Sequence, residues 1–164
     1  MRNIMLIPGL LLFISCASHM LSNEERILPS VEHPRFWQYK NEPVFLLGST
    51  TEDNLFQHKN IEQELDALVA AGGNYIRCTL SSRDSGNVQP FARTADGRYD
   101  LEQWNEEYWQ RLQTCLLACY ERDVVVQIEL WAFHDFNQKP ETPDWDTNPW
   151  HPDNTMNYDT SQTH

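Results

Sequence analysis

The sequence predicts an α/β fold. Three observations predict it: two stretches carry helical apolar spacing, three β-type runs alternate with them, and the last run is apolar almost throughout, as parallel strands are. Placed in chain order they read strand, helix, strand, helix, strand. That order calls for crossover helices between parallel neighbours.

The first run is double. Arg35–Tyr39 and Pro43–Gly48 flank Lys40-Asn41-Glu42, which predicts a hairpin. Pro43 sits at the start of a strand, where no ladder bond is required of it. The next element starts at Asn60, with Gln63 as capping-box partner, and Ile61, Leu65, Leu68 and Val69 recur at helical spacing. Gly72-Gly73 ends that helix where a left-handed residue is wanted. Asn74–Leu80 reads as the second strand, and Ser81–Tyr99 as a polar, turn-rich excursion. A second helix is predicted from Asp100, with Gln103 in the box position. Its inward face carries Leu101, Trp104, Tyr108, Leu112, Cys115, Leu116 and Cys119, with Glu106, Glu107, Arg111 and Glu121 off it. Val124–Trp131 is the third strand.

Composition narrows the function. The 164 residues hold 12 Lys+Arg against 24 Asp+Glu, a formal charge of −12, and 40% are hydrophobic. This is globular composition, and the acid excess excludes nucleic acid as a partner, since phosphate neutralisation needs clustered basic residues. No GxGxxG follows the first strand and no GxxxxGK occurs, which counts against nucleotide binding and leaves no cofactor implied.

The N-terminus reads as a leader. Met1-Arg2-Asn3 precedes an apolar run, Ile4–Ile14, too short to span a bilayer and suited to a signal-peptide core. Phe13-Ile14-Ser15-Cys16 resembles a bacterial lipobox. The expected organisation is a signal peptide over 1–15, acylation at Cys16, a polar tether over 16–33 and a folded domain over 34–164. The product would be exported, and either secreted or membrane-anchored in the periplasm or outer membrane, touching the membrane only through the lipid. Cys78, Cys115 and Cys119 are an odd set that cannot fully pair. The last two lie one helical turn apart among leucines, a packing arrangement.

Strand alternation decides between α/β architectures. If Ile76 and Cys78 face the helices, Tyr75, Arg77 and Thr79 face the other way, and Gln127, Glu129 and Trp131 share one face of the third strand. A doubly wound sheet would bury those polar groups in dry packing. A barrel gives them its interior near the carboxyl ends of the strands, where active sites sit. An Arg77–Glu129 ion pair of purely structural purpose is the competing explanation.

Several of these segments resemble a known group. Phe36–Gly48, F-x-x-x-x-x-x-P-x-F-L-L-G, resembles the N-terminal hairpin of cellulase-like and apiosidase-like glycoside hydrolases of the (β/α)8 (TIM barrel) superfamily. Asn74-Tyr75-Ile76-Arg77 is similar to that group's second-strand motif. Asp100-Leu101, Asn105–Trp109 and Arg111-Leu112 resemble its second helix, and Leu130–His134 the strand exit that brings an aromatic and a histidine to the sugar cleft.

The resemblance spans roughly residues 34–158 and implies a partial (β/α)8 barrel, its first three strands and two helices, behind an N-terminal hairpin. It implies an exported hydrolase of O-glycosidic bonds in poly- or oligosaccharides. Substrate-binding positions would be Arg77, Trp131 and His134, and Glu52 and Asn54 follow the first strand at its binding end. In that group the acid/base glutamate follows strand four and the nucleophile strand seven, so no residue here is assigned as catalytic. A carbohydrate-binding lipoprotein without catalysis and a non-functional truncated product are the alternatives. A metal site built from His134-Asp135 and His151-Pro152-Asp153 matches no dedicated zinc or calcium spacing, and none is assigned.

Overall fold

The computed structural model describes residues 26–130, 132–136 and 144–162. The chain divides into two compact units, one ending at Phe45 and the other starting at Leu46.

In the first unit β1 (Leu28–Pro29), β2 (Trp37–Tyr39) and β3 (Glu42–Val44) form an antiparallel sheet in that order. The β2–β3 turn is Lys40-Asn41, with φ of 52° and 63°. Two consecutive left-handed residues make the two-residue turn whose twist matches the flanking strands. Tyr39 faces Glu42 and Gln38 faces Pro43. Ladder bonds alternate along an antiparallel pair, so the closing Tyr39–Glu42 pair takes them and Pro43 loses none. The strand stops at Val44, short of the predicted Gly48.

The second unit begins where that strand was expected to continue. Leu47 N–H donates to Asn74 Oδ1 at 2.9 Å and Asn74 N–H donates to Leu47 O at 2.8 Å. Gly48 then passes so close to Tyr75 that an added Cβ would lie 1.6 Å from its carbonyl oxygen. Leu46–Gly48 therefore runs beside the next strand without forming a ladder. Among the described residues the parallel sheet has two strands where three were predicted.

Leu55–Gln57 forms a 3-10 turn whose Leu55 and Phe56 are wholly buried. Helix α1 spans Ile61–Ala70 behind Asn60, with Ile61 and Leu65 inward, and stops as Gly72 turns to φ 82° and Gly73 N–H donates to Leu68 O. β4 (Tyr75–Thr79) pairs in parallel with β7 (Val125–Glu129), Tyr75 opposite Val125 through Thr79 opposite Glu129. Helix α2 (Glu106–Tyr120) lies between them in sequence, and Asp123 takes φ 52° at the entry to β7. Ile76, Cys78, Leu112, Cys115, Cys119 and Val124 join Leu55, Phe56 and Leu65 in one core. The three cysteines are unpaired and buried, which agrees with packing. Cys115, touching Cys119 and Cys78 and cut off from water, has its thiol pushed up.

The second helix begins five residues later than predicted. Tyr99–Trp104 is strand β6, antiparallel to β5 (Phe91–Arg93), and Asn105 is the cap, its Oδ1 accepting from Glu107 N–H at 3.2 Å. Asp100 accepts from Glu102 N–H within that strand and from Asn157. Tyr99 also binds the distant chain: Tyr99 N–H donates to Asn154 O and Met156 N–H to Tyr99 O. These partners hold residues 99–104 extended. Leu116, expected inward, is 36% exposed. The remaining described segments are a 3-10 turn over Phe133–Phe136, the short helix α3 (Asp144–Thr147) and a 3-10 turn over Thr160–Gln162. Among the described residues, no helix is long and apolar enough to cross a membrane. The architecture is mixed α/β, built on a parallel pair with a helical crossover.

Candidate functional site

Parallel strands are ordinarily apolar on both faces. β4 and β7 are not. Ile76 and Cys78 point into the core and are fully buried, so alternation sends Tyr75, Arg77 and Thr79 to the opposite face. The register puts Gln127 beside Arg77 and Glu129 beside Thr79.

These side chains form one connected network. The Tyr75 hydroxyl donates to Gln127 Oε1 at 2.5 Å, Gln127 Nε2 donates to Glu129 Oε1 at 3.4 Å, and Thr79 Oγ1 donates to Glu129 Oε2 at 3.0 Å. Arg77 Nε stands 3.7 Å from Glu129 Oε1. The Arg77 side chain is 53% exposed and that of Glu129 33%, so their attraction is screened and adds little to stability, about 1 kcal/mol at most. The ion pair weighed against a functional role is present, but a wet pair is a weak structural device. It leaves a cation and a carboxylate side by side on an accessible polar face.

A second charged group lies in the loops that follow the strands. The Arg83 guanidinium pairs with Asp53 Oδ2, and its Nε lies 3.8 Å from Asp135 Oδ1. Burial alone would lower the Arg83 pKa. The hydrogen bond and charge of Asp53, with Asp135 beyond, outweigh it and hold the group above its ordinary value. Thr79 N–H donates to Asp53 O at 2.6 Å, tying this loop to the end of β4.

The predicted positions are dispersed. Arg77 lies in the strand network. Glu52 is half-buried in the loop before the Leu55–Gln57 turn. Asn54 is 2% exposed, and its amide donates to Asn87 Oδ1 at 2.6 Å and Ser81 O at 3.5 Å, joining two loops from inside. His134 is exposed in the Phe133–Phe136 turn, its ring 5.8 Å edge-on from Phe133. Trp131 and Cys16 lie outside the described residues. Asp153 N–H donates to His151 Nδ1 at 3.1 Å, and among the described residues no group of three or more His, Cys, Asp or Glu side chains could hold a metal.

Arg83 was not singled out in the sequence, although a lone arginine between two acidic loops was a usable signal. The aromatic residues fall into two clusters among the described residues. Trp104 stacks on Phe91 at 5.3 Å and meets Trp109 edge-on at 5.0 Å, while Trp150 meets Phe91 edge-on at 5.5 Å. Trp145 packs near Phe136 and His151.

No family profile matches the chain, and no curated protein matches it. Its fold is similar to the crystal structure of a candidate glycoside hydrolase from Bacteroides vulgatus ATCC 8482, with a TM-score of 0.53 and 18% identity over 70% of this chain. The match spans 27% of that protein's chain. At this identity the likeness is one of fold.

Proposed function

We propose that this chain supplies part of a (β/α)8 barrel of the cellulase-like and apiosidase-like glycoside hydrolase kind, acting on poly- or oligosaccharides. In this reading it is exported and held at a membrane through a lipid on Cys16. The observation that carries the reading is the polar network Tyr75–Gln127–Glu129–Thr79, with Arg77 beside it, on one face of a parallel strand pair. A barrel interior would hold such a face near the carboxyl ends of the strands, where active sites sit. The likeness to part of a candidate glycoside hydrolase supports the same assignment.

Glycoside hydrolysis needs two carboxyl groups flanking the scissile bond, and that pair is assigned to no residue of this chain. What these residues do is bind and orient. Arg77 donates to a sugar hydroxyl or holds a neighbouring carboxylate ionised, and the Glu129 carboxylate accepts from hydroxyls. Trp131 offers a flat face to the apolar side of a sugar ring, and His134 and Glu52 offer polar groups from the loops. Asn54 fixes the loop that carries Glu52.

Calorimetric titration of the native protein with neutral oligosaccharides tests the proposal. Saturable binding that weakens about tenfold on Arg77→Ala is expected. A panel with no binder would overturn it. Binding without hydrolysis by the native protein would favour a carbohydrate-binding role instead.

A further inference from the structure

Away from the strand face, one groove sets an aromatic ring among polar side chains that have little or nothing to bind. It runs along the β5–β6 hairpin and the start of α2, with a volume of about 700 Å3. Small-molecule sites commonly occupy about 300–1,000 Å3.

The ring is Trp104. It stands opposite Phe91, and the register then jumps to Asp100 opposite Ala92. The two rings stack at 5.3 Å with their planes 18° apart. Phe91 is 6% exposed and Trp104 59%, so a buried ring holds a largely exposed indole in place. Such a platform is set before a ligand arrives, and little freedom is lost on contact.

The polar groups are poorly committed. The Arg93 guanidinium lies 4.7 Å from the centroid of the buried Tyr99 ring, and its Nη2 donates to the Tyr99 hydroxyl at 2.6 Å. That anchors Arg93 without neutralising it, for no described carboxylate pairs with it. Glu106, the first residue of α2, is exposed, and Gln89 is half-buried. Among the described residues neither side chain makes a hydrogen bond or an ion pair. The backbone beneath them is tied together, since Asn105 N–H donates to Pro90 O at 2.9 Å and Asn105 Nδ2 to Gln89 O at 2.8 Å.

The groove's chemistry selects its occupant. A polyanion needs clustered cations, and the single Arg93 is balanced by Glu106. A wholly apolar molecule would strip water from Arg93, Glu106 and Gln89 and return no hydrogen bond. The remaining class is neutral, carries hydroxyls that both donate and accept, and has an apolar face to lay on an indole. A pyranose ring has all three properties.

We propose that this groove is a carbohydrate site separate from the strand face, where a neutral pyranose unit of an oligosaccharide stacks on Trp104 while its hydroxyls donate to Glu106 and accept from Arg93 and Gln89. It uses none of the strand-face residues and does not rest on the barrel reading.

The test is calorimetric titration of the full chain with four neutral tetrasaccharides (cellotetraose, xylotetraose, mannotetraose and maltotetraose) and with sorbitol, which has hydroxyls but no ring face. At least one tetrasaccharide is expected to bind saturably, and sorbitol not at all. The groove is read in Arg77→Ala, where the strand face is weakened. Saturable binding is expected to persist there and to fall about tenfold when Trp104→Ala is added. Glu106→Gln, at an exposed position bonded to no described residue, does not act by unfolding the chain and is expected to weaken binding about threefold. The proposal is overturned if no tetrasaccharide binds in Arg77→Ala, if sorbitol binds as well as the tetrasaccharides, or if either Trp104→Ala or Glu106→Gln leaves affinity unchanged. Affinity that ignores Arg77→Ala and falls on Trp104→Ala removes the strand-face reading and supports this one.

Discussion

Thr79 Oγ1 donates to Glu129 Oε2 at 3.0 Å between the last residues of two parallel strands that lie 50 positions apart in sequence. The bond closes the polar network at the end of the strands where barrel active sites form. Because the Glu129 side chain is one-third exposed, the pair adds little to stability, and in the proposed reading its carboxylate is available to a ligand. Glu129→Gln should therefore shift the unfolding free energy by less than about 1 kcal/mol. Oligosaccharide affinity should fall about tenfold. Chemical denaturation and calorimetry on the same samples check both halves. A large stability loss with affinity intact would make the network structural.

Arg83 lies between Asp53 and Asp135, with side-chain exposures of 20%, 32% and 16% respectively. Arg83→Met removes the cation paired with the partly buried Asp53 carboxylate and should destabilise the chain by about 2–4 kcal/mol. The deficit should shrink as pH falls through the carboxylate range, because protonation removes the stranded charge. Urea unfolding at several pH values measures it, and a pH-independent deficit would assign the loss to packing.

The close passage of Gly48 over the Tyr75 carbonyl leaves no room for a methyl group, and the obstacle is backbone rather than a side chain that can swing away. Gly48→Ala should cost about 3 kcal/mol or more. Gly97, at φ 87° with nothing near its Cβ position, is a useful contrast. Gly97→Ala should cost less, about 1–2 kcal/mol, all of it from the left-handed backbone. Paired thermal melts compare the two.

Asp96, in the β5–β6 turn, accepts from Thr94 Oγ1 and from Arg98 Nε, the latter at 2.8 Å. The Thr94 hydroxyl and the Arg98 guanidinium hold its carboxyl down at about 2, against 3.8 unperturbed. A depressed folded-state pKa contributes stability that is present above the unfolded value and lost as pH falls through the folded one. The turn's contribution should thus be intact above about pH 4 and disappear toward pH 2. NMR titration of the Asp96 carboxyl should find its midpoint near 2, and a midpoint near 4 would show the turn to be open in solution.

Much of this was legible locally. Helix α1 runs from Asn60 to the left-handed Gly72 as its apolar spacing and glycine pair indicate, although the predicted Asn60–Gln63 capping box does not form, the Asn60 side chain making no cap hydrogen bond. The inward Ile76 and Cys78 and the outward Arg77 follow from alternation alone, because a strand's side-chain period is fixed by its backbone. The polar face was therefore visible in the sequence, including the pairing of Arg77 with Glu129.

Other features depend on partners far along the chain. Asp100 and Asn105 both precede good helical sequence, and local propensity cannot choose between them. Bonds from Tyr99 to Asn154 and Met156, together with pairing to β5, hold residues 99–104 extended and move the helix start to Asn105. The missing third strand has the same kind of cause: Leu47 bonds Asn74 at the edge of β4, but Gly48 comes too close to Tyr75 for a ladder to continue. Arg83 finds Asp53 and Asp135 from opposite sides in sequence. The sequence by itself determined which residues face inward within each element, a matter of backbone period. Which elements meet, and so which side chains share a site, was decided by long-range hydrogen bonds and packing that no local pattern encodes.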